Sequence, residues 1–246
     1  AGLGAARGGC DAGVALADID AILITHLHSD HYLELGPLLH TAWTAGLCHA
    51  MPIWGPPGLV PYWEGFLTSM NFDIQLRIAD EGRPDLSRLA ELHPVTPGQP
   101  IEIGAVRVDA MENVHPPVTP SYAFRLSAGE KTIVLSGDTA AMAEMESFAL
   151  GADLLVHEAM LTDGVDAVVA QAANGDDRLR THILRSHTSA EDVGHIAAKS
   201  NVRRLALNHF VPDGMPSFTD RHWHDAVRTT WDGDLVLGRD GLRIDL

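Results

Sequence analysis

His26, His28, Asp30 and His31 fall within six positions, directly after an apolar run. Imidazole and carboxylate donors suit zinc or a similar divalent ion. His26 and His28 sit two apart at the end of a strand expected over 21–25, so in extended geometry their side chains share one face. Asp30 and His31 follow where the chain must turn, which lets them aim at a second, neighbouring position. The cluster is suited to a pair of adjacent cations rather than to a single one.

Four later positions repeat one context, a donor at the end of an apolar strand. They are His115 after Val114, Asp138 in Leu135-Ser136-Gly137-Asp138-Thr139, His157 after Val156, and His209 after Asn208. Singly, each is an ordinary strand-end residue. With the cluster at 26–31 they offer the about six or seven donors that a dinuclear site requires.

Such donors need strands that end together. Residues 1–20 are small and Gly-rich and read as a loop followed by a short helix ending near Asp18. Gly36-Pro37 opens a helix carrying Leu38, Leu39, Ala42 and Trp43, which Gly46 can end. A strand over 52–55 leads into Pro56-Pro57-Gly58 and a helix through about Ser69. Strand patterns follow over 101–103, 106–111 and 122–126, and Ser127-Ala128-Gly129-Glu130 reads as a hairpin loop before a strand over 132–135. The remainder alternates: helix 140–149, strand 153–156, helix 163–173, helix 189–199 and strand 204–207. Thr188 with Glu191, and Ser189 with Asp192, each have capping-box spacing. Strands followed by helices in each half predict two sheets packed face to face with helices outside, in one domain over 1–246.

A chain of 246 residues is long enough for one sizeable core. It is 46% hydrophobic and has no apolar run long enough to cross a bilayer, so no membrane partner is expected. The net charge is −16, the only lysines are Lys131 and Lys199, and the arginines are spread along the chain. Nucleic-acid phosphates reward Lys and Arg, so the balance argues against broad contact with nucleic acid, and a local basic groove is left open. Bound cations at Asp30 and Asp138 would offset part of the acidity. Cys10 and Cys48 read as free, packed thiols, with a single bridge between them left open. No leader is visible and the first residue is Ala, which leaves the compartment open between cytoplasm and periplasm or exterior.

Through His26-x-His28-x-Asp30-His31, His115, Asp138 and His209, the chain resembles the metallo-β-lactamase superfamily along nearly its whole length. The hallmark of that superfamily is HxHxDH, then a separate His, a bridging Asp and a final His. The resemblance implies an α+β fold of the αββα sandwich type, with two mixed β-sheets packed face to face. It also implies that His26, His28 and His115 hold one metal, that Asp30, His31 and His209 hold a second, and that Asp138 bridges them. The implied cofactor is a pair of Zn2+ ions, with Mn2+ or Fe2+ as alternatives.

A finer resemblance rests on Pro52-Ile53-Trp54-Gly55-Pro56, Pro120-Ser121-Tyr122-Ala123-Phe124-Arg125, Val156-His157-Glu158-Ala159 and His187-Thr188-Ser189-Ala190. It points to the branch of ribonuclease Z and the arylsulfatase-like and phosphodiesterase-like hydrolases. In that branch the residue matching His187 protonates the leaving group and the one matching Glu158 orients it. With Asp30, these are the catalytic candidates. Two departures stand out. Strands that usually precede the cluster are missing from the start of the sequence. The tRNA-clamping arm that ribonuclease Z often inserts between the strands matching 122–126 and 132–135 is replaced by five residues.

The expected activity is metal-assisted hydrolysis of a small ester, an aryl sulfate or a phosphodiester, with His187 as leaving-group acid. The alternatives are a lactonase or β-lactamase-type hydrolase, which needs no such acid, and a ribonuclease Z-like endonuclease acting on tRNA 3′ ends. A non-catalytic metal scaffold is a further reading, and a homodimer is left open. Thr25, Ser29 and Thr139 are candidates to orient the ligands. His182 is a candidate pocket residue, and Trp43, Trp54 and Phe210 are candidate walls of an apolar pocket. His40, His49, His93 and His195 read as structural or exposed, and His222 and His224 as surface residues beside Trp223 on a helix.

Overall fold

Two stretches, 1–96 and 97–246, each close around their own apolar cluster in a computed structural model that describes residues 1–172 and 177–246. In the first stretch the elements run α1 (Ala5–Asp11), β1 (Ile22–Leu23), α2 (Ser29–Tyr32), α3 (Leu35–Thr44), β2 (Met51–Gly55), α4 (Leu59–Glu81) and β3 (Ala90–Pro94). The strands form a sheet in the order β1-β2-β3, parallel throughout. Helical crossovers join consecutive strands here, and a crossover returns the chain in the same direction. The expectation of two mixed sheets is therefore corrected for this one.

Alternation in β2 buries Met51, Ile53 and Gly55, and the apolar face of α3 buries Leu35, Leu39 and Trp43 in the same cluster. Truncating a side chain such as Leu39 to Ala should cost about 2–5 kcal/mol. Helix α4 continues twelve residues past the expected end at Ser69, to Glu81. Arg77 bridges Asp73 and Glu81 along its surface at 2.9 and 3.0 Å, and the left-handed Gly82 (φ 69°) stops it.

The second stretch runs β4 (Ile101–Ile103), β5 (Val106–Glu112), β6 (Tyr122–Ala128), β7 (Lys131–Leu135), α5 (Ala143–Phe148), β8 (Leu154–Met160), α6 (Val165–Gln171), α7 (Asp177–Ser186), α8 (Ala190–Lys199), β9 (Arg204–Val211), α9 (Asp220–Arg228) and β10 (Asp234–Leu237). Its seven strands order as β10-β9-β8-β7-β6-β5-β4. Strands β4 to β7 are an antiparallel meander and β7 to β10 are parallel, so this sheet is mixed as expected. The hairpin loop is tighter than the sequence suggests, because Ala128 already pairs with Lys131. Residue 173, the end of the helix expected over 163–173, lies outside the described residues. Helix α8 starts on Ser189, whose hydroxyl accepts from the Asp192 amide at 3.1 Å, so one of the two anticipated caps forms. No helix among the described residues is long and apolar enough to cross a membrane.

Candidate metal and catalytic centre

In the first unit the four donors follow directly on β1. The Ile24 amide still bonds to Trp54 O at 2.8 Å, and beyond it the chain leaves the sheet. His28 keeps extended backbone (φ −81°, ψ 145°) and hands over to the short turn of α2, which carries Asp30 and His31. His26 Nε2 lies 3.3 Å from His28 Nδ1, and the rings of His26 and His31 are 4.0 Å apart between centroids. Asp30 Oδ2 lies 3.3 Å from His31 Nε2. Thr25 Oγ1 sits 3.1 Å from His26 Nδ1, which fixes the ring and leaves Nε2 for the cluster.

In the second unit the candidates come from the carboxyl ends of separate strands. β5 and β7 point the same way, with antiparallel β6 between them, so His115 and Asp138 emerge at one edge of the sheet. The two loops are stitched together. Asn113 Nδ2 donates to Ser136 O at 2.7 Å, the Val114 amide to Thr139 Oγ1 at 3.2 Å, and the Ala140 amide to Val114 O at 2.7 Å. Gly137 takes φ 59°, a left-handed turn open to glycine, and so swings Asp138 out of the strand line.

His209 is placed by a bulge. Asn208 pairs with Glu158 and Phe210 with Ala159, which leaves His209 as the extra residue in β9, at φ 45°. A non-glycine residue in that region is held there against a local preference of about 1–2 kcal/mol. Its Nε2 lies 3.2 Å from Asp138 Oδ2.

Glu158 and His187 form the expected pair. His187 Nδ1 donates to Glu158 Oε1 at 3.1 Å, and the amides of Thr139 and Thr188 donate to that same oxygen at 3.1 and 3.2 Å. Thr188 does not cap α8; its hydroxyl donates to Thr139 O at 2.7 Å and ties the two amides together. Burial, and after it the charge of Asp138, push the Glu158 carboxyl well above its ordinary range, while the two amides pull against the shift. The rings of His115 and His209 flank His187 at 5.3 and 5.7 Å.

Several expectations need correction. His157 shares the strand-end context of the ligands, yet β8 runs on to Met160 and alternation turns its side chain to the face opposite Glu158. It is fully buried, its Nδ1 donates to Glu158 O at 2.7 Å, and burial pushes its pKa down to about 4, which keeps it neutral. Trp43 is a core residue whose Nε1 donates to Pro84 O, Trp54 stacks on His93, and Phe210 packs on Trp223. Cys10 and Cys48 are free and exposed rather than packed. Helix α7 was not anticipated, and it brings His182 to 6.4 Å from His115.

The donor chemistry in each unit fits a divalent cation. In the second, ligand atoms of His115, Asp138 and His187 lie within 4.8 Å of one another, as do those of Glu158, His187 and His209. The first contributes three imidazoles and a carboxylate from six consecutive positions, the extended exit from β1 and the turn of α2.

A family model described as a beta-lactamase superfamily domain matches residues 8–210. A ribonuclease Z of Mycobacterium bovis is 31% identical over 95% of this chain and 82% of its own length. A ribonuclease Z of Mycobacterium sp. strain KMS is 34% identical over 96% of this chain and 80% of its own length. Among solved structures, the short form of human tRNase Z superposes with a TM-score of 0.66 at 20% identity, covering 99% of this chain and 85% of its own. The metallo-beta-lactamase fold protein YhfI of Bacillus subtilis gives 0.65 at 21% identity, covering 92% and 78%. The chain belongs to the metallo-β-lactamase superfamily, in the branch that holds ribonuclease Z. It is a metal-dependent hydrolase of ester bonds.

These relatives overturn the expectation against a nucleic-acid partner. The physical reason is that −16 is a sum over the whole chain, whereas a phosphate strand responds only to the charges it lies against.

Proposed function

We propose that the chain is an endonuclease of the ribonuclease Z type that hydrolyses a phosphodiester at the 3′ side of tRNA precursors. Relatedness to ribonuclease Z over nearly the full length supports this reading, and the aryl-sulfate expectation finds no support in those relatives. In this proposal the two units act as one metallo-β-lactamase-like domain. His26, His28 and His115 would hold one Zn2+, Asp30, His31 and His209 would hold another, and Asp138 would serve both; donors of this kind also suit Mn2+ or Fe2+. Metal bound by these residues would supply Lewis acidity toward a phosphoryl oxygen and would lower the pKa of a coordinated water.

The observation that carries the reading is the Glu158–His187 contact at 3.1 Å. A departing ribose oxygen is a poor leaving group and needs a proton, whereas a p-nitrophenolate does not. Glu158 accepts at His187 Nδ1, so Nε2 is the atom that can deliver that proton. The amides of Thr139 and Thr188 hold the carboxyl still while it orients the ring. Asp30, 3.3 Å from His31 Nε2, would serve as a ligand and remains a catalytic candidate.

Incubating the protein with a 3′-extended tRNA precursor, with and without chelator, tests the proposal. Metal-dependent release of a single 3′ trailer is expected. Turnover of bis-p-nitrophenyl phosphate with no cleavage of the precursor would refute it.

A further inference from the structure

Helix α7 runs against the charge of the rest of the chain. It carries Arg178, Arg180 and Arg185 against the single acid Asp177 within ten residues, in a chain of net charge −16. Its apolar side is accounted for. Ile183 is buried with Met160 and Val165, and Leu179 and Leu184 pack on the same cluster. Arg180 leaves the helix on another side and pairs with Asp166 at 2.7 Å.

Arg178 and Arg185 are seven residues apart, two turns, and so share a face. His182 stands between them, four residues from one and three from the other, in the spacing at which helical side chains are neighbours. That face begins at the catalytic candidates. The ring of His182 is 6.4 Å from that of His115, Ser186 O lies 2.9 Å from His115 Nδ1, and Ser186 Oγ donates to Pro116 O at 2.6 Å. His187 is the next residue along the chain. Arg178, Thr181 and Arg185, with Asp177 at the far end, line a shallow depression of about 360 Å³.

We propose that Arg178 and Arg185 bind the phosphodiester backbone of the RNA strand where it leaves the catalytic centre; this rests on the ribonuclease reading above. The Cα positions of the two arginines are spaced by about 10 Å along the helix axis, a span from which two long side chains can reach phosphates separated by one or two nucleotides. A guanidinium fork suits two oxygens of one phosphate, and the Thr181 hydroxyl adds a neutral donor between the forks. No aromatic or apolar side chain lines the depression among the described residues, so the contact reads backbone and not base. A surface of this kind resolves the conflict between an acidic chain and RNA-acting relatives, because two turns of one helix supply the charge where the strand lies.

The test compares the whole chain with R178A/R185A and with R178K/R185K, on a 3′-extended tRNA precursor and on bis-p-nitrophenyl phosphate. The alanine pair should lower kcat/KM on RNA by about 10- to 100-fold, and the loss on RNA should exceed the loss on the small diester at least tenfold. Its plot of log kcat/KM against log salt should be shallower by about 1.4, the value for two phosphate contacts to a single strand. The lysine pair keeps the charge and should retain the salt slope. Equal losses on both substrates, or an unchanged salt slope on RNA, would overturn the proposal. A wild-type protein that turns over the diester and leaves RNA intact would instead refute the ribonuclease reading itself, and this proposal with it.

Discussion

The first and second units present the same donor types by opposite routes. In the first, His26, His28, Asp30 and His31 come from six consecutive positions, and a two-residue strand with a single short turn is enough to gather them. In the second, His115 and Asp138 follow the ends of β5 and β7, Glu158 and His209 lie within β8 and β9, and His187 sits at a helix junction. There the gathering depends on a seven-stranded sheet, a left-handed glycine at Gly137 and a bulge that displaces His209. One set is written in local sequence, the other in topology. Changes to donors should therefore be severe in both units, while changes to supporting groups should spread further in the second.

The contrast breaks first at Asp138. Asp138→Ala should lower turnover of every substrate by at least about 10²–10³-fold, read from kcat with both a nucleic acid and a small diester. Full activity would remove Asp138 from the centre. His187→Ala comes next, and its effect should depend on the leaving group. Loss on an alkyl or ribose leaving group should reach about 10²–10⁴-fold, with a much smaller loss on p-nitrophenolate. Equal losses would show that His187 does not deliver a proton. Glu158→Gln should follow the same pattern more weakly, since an amide oxygen can still accept from Thr139, Thr188 and His187.

Thr25→Val sharpens the comparison on the local side. It removes the hydroxyl at His26 Nδ1 and should weaken metal affinity by about 10- to 100-fold, measured by competition with a chelator; unchanged affinity would mean that the cluster needs no outer support. The smallest effect lies in the sheet. The unfolded chain protonates His157 near its ordinary 6.5 and the folded chain only near 4, so stability is full above pH 6.5 and is lost as pH falls through that window. The loss should approach about 3 kcal/mol. Urea unfolding at pH 7 and pH 4.5 should show a steeper decline for wild type than for His157→Leu, and parallel declines would contradict the assignment.

Legibility in the sequence followed the same divide. The cluster at 26–31 could be read directly because spacing alone sets its geometry. His115, Asp138 and His209 could be read only as strand-end donors plus a resemblance. The same context misdirected the reading of His157, because a strand that runs four residues longer than its apolar pattern reverses which neighbour faces the centre. The Glu158–His187 pairing, 29 residues apart, came from motif likeness and not from any local signal. Helix α7 escaped because its apolar positions are few and its arginines look dispersed until the helix lines two of them up. Whole-chain charge misled for that reason.

The proposal that most needs testing is that His28 and His209 are both metal ligands. Metal analysis of the purified, unchelated chain alongside His28→Ala and His209→Ala tests it most directly. About two metals per chain are expected in the wild type, with each variant losing metal and activity together although the substitutions lie in different units. A wild type without stoichiometric metal, or a His209→Ala chain that keeps its full complement, would contradict the account.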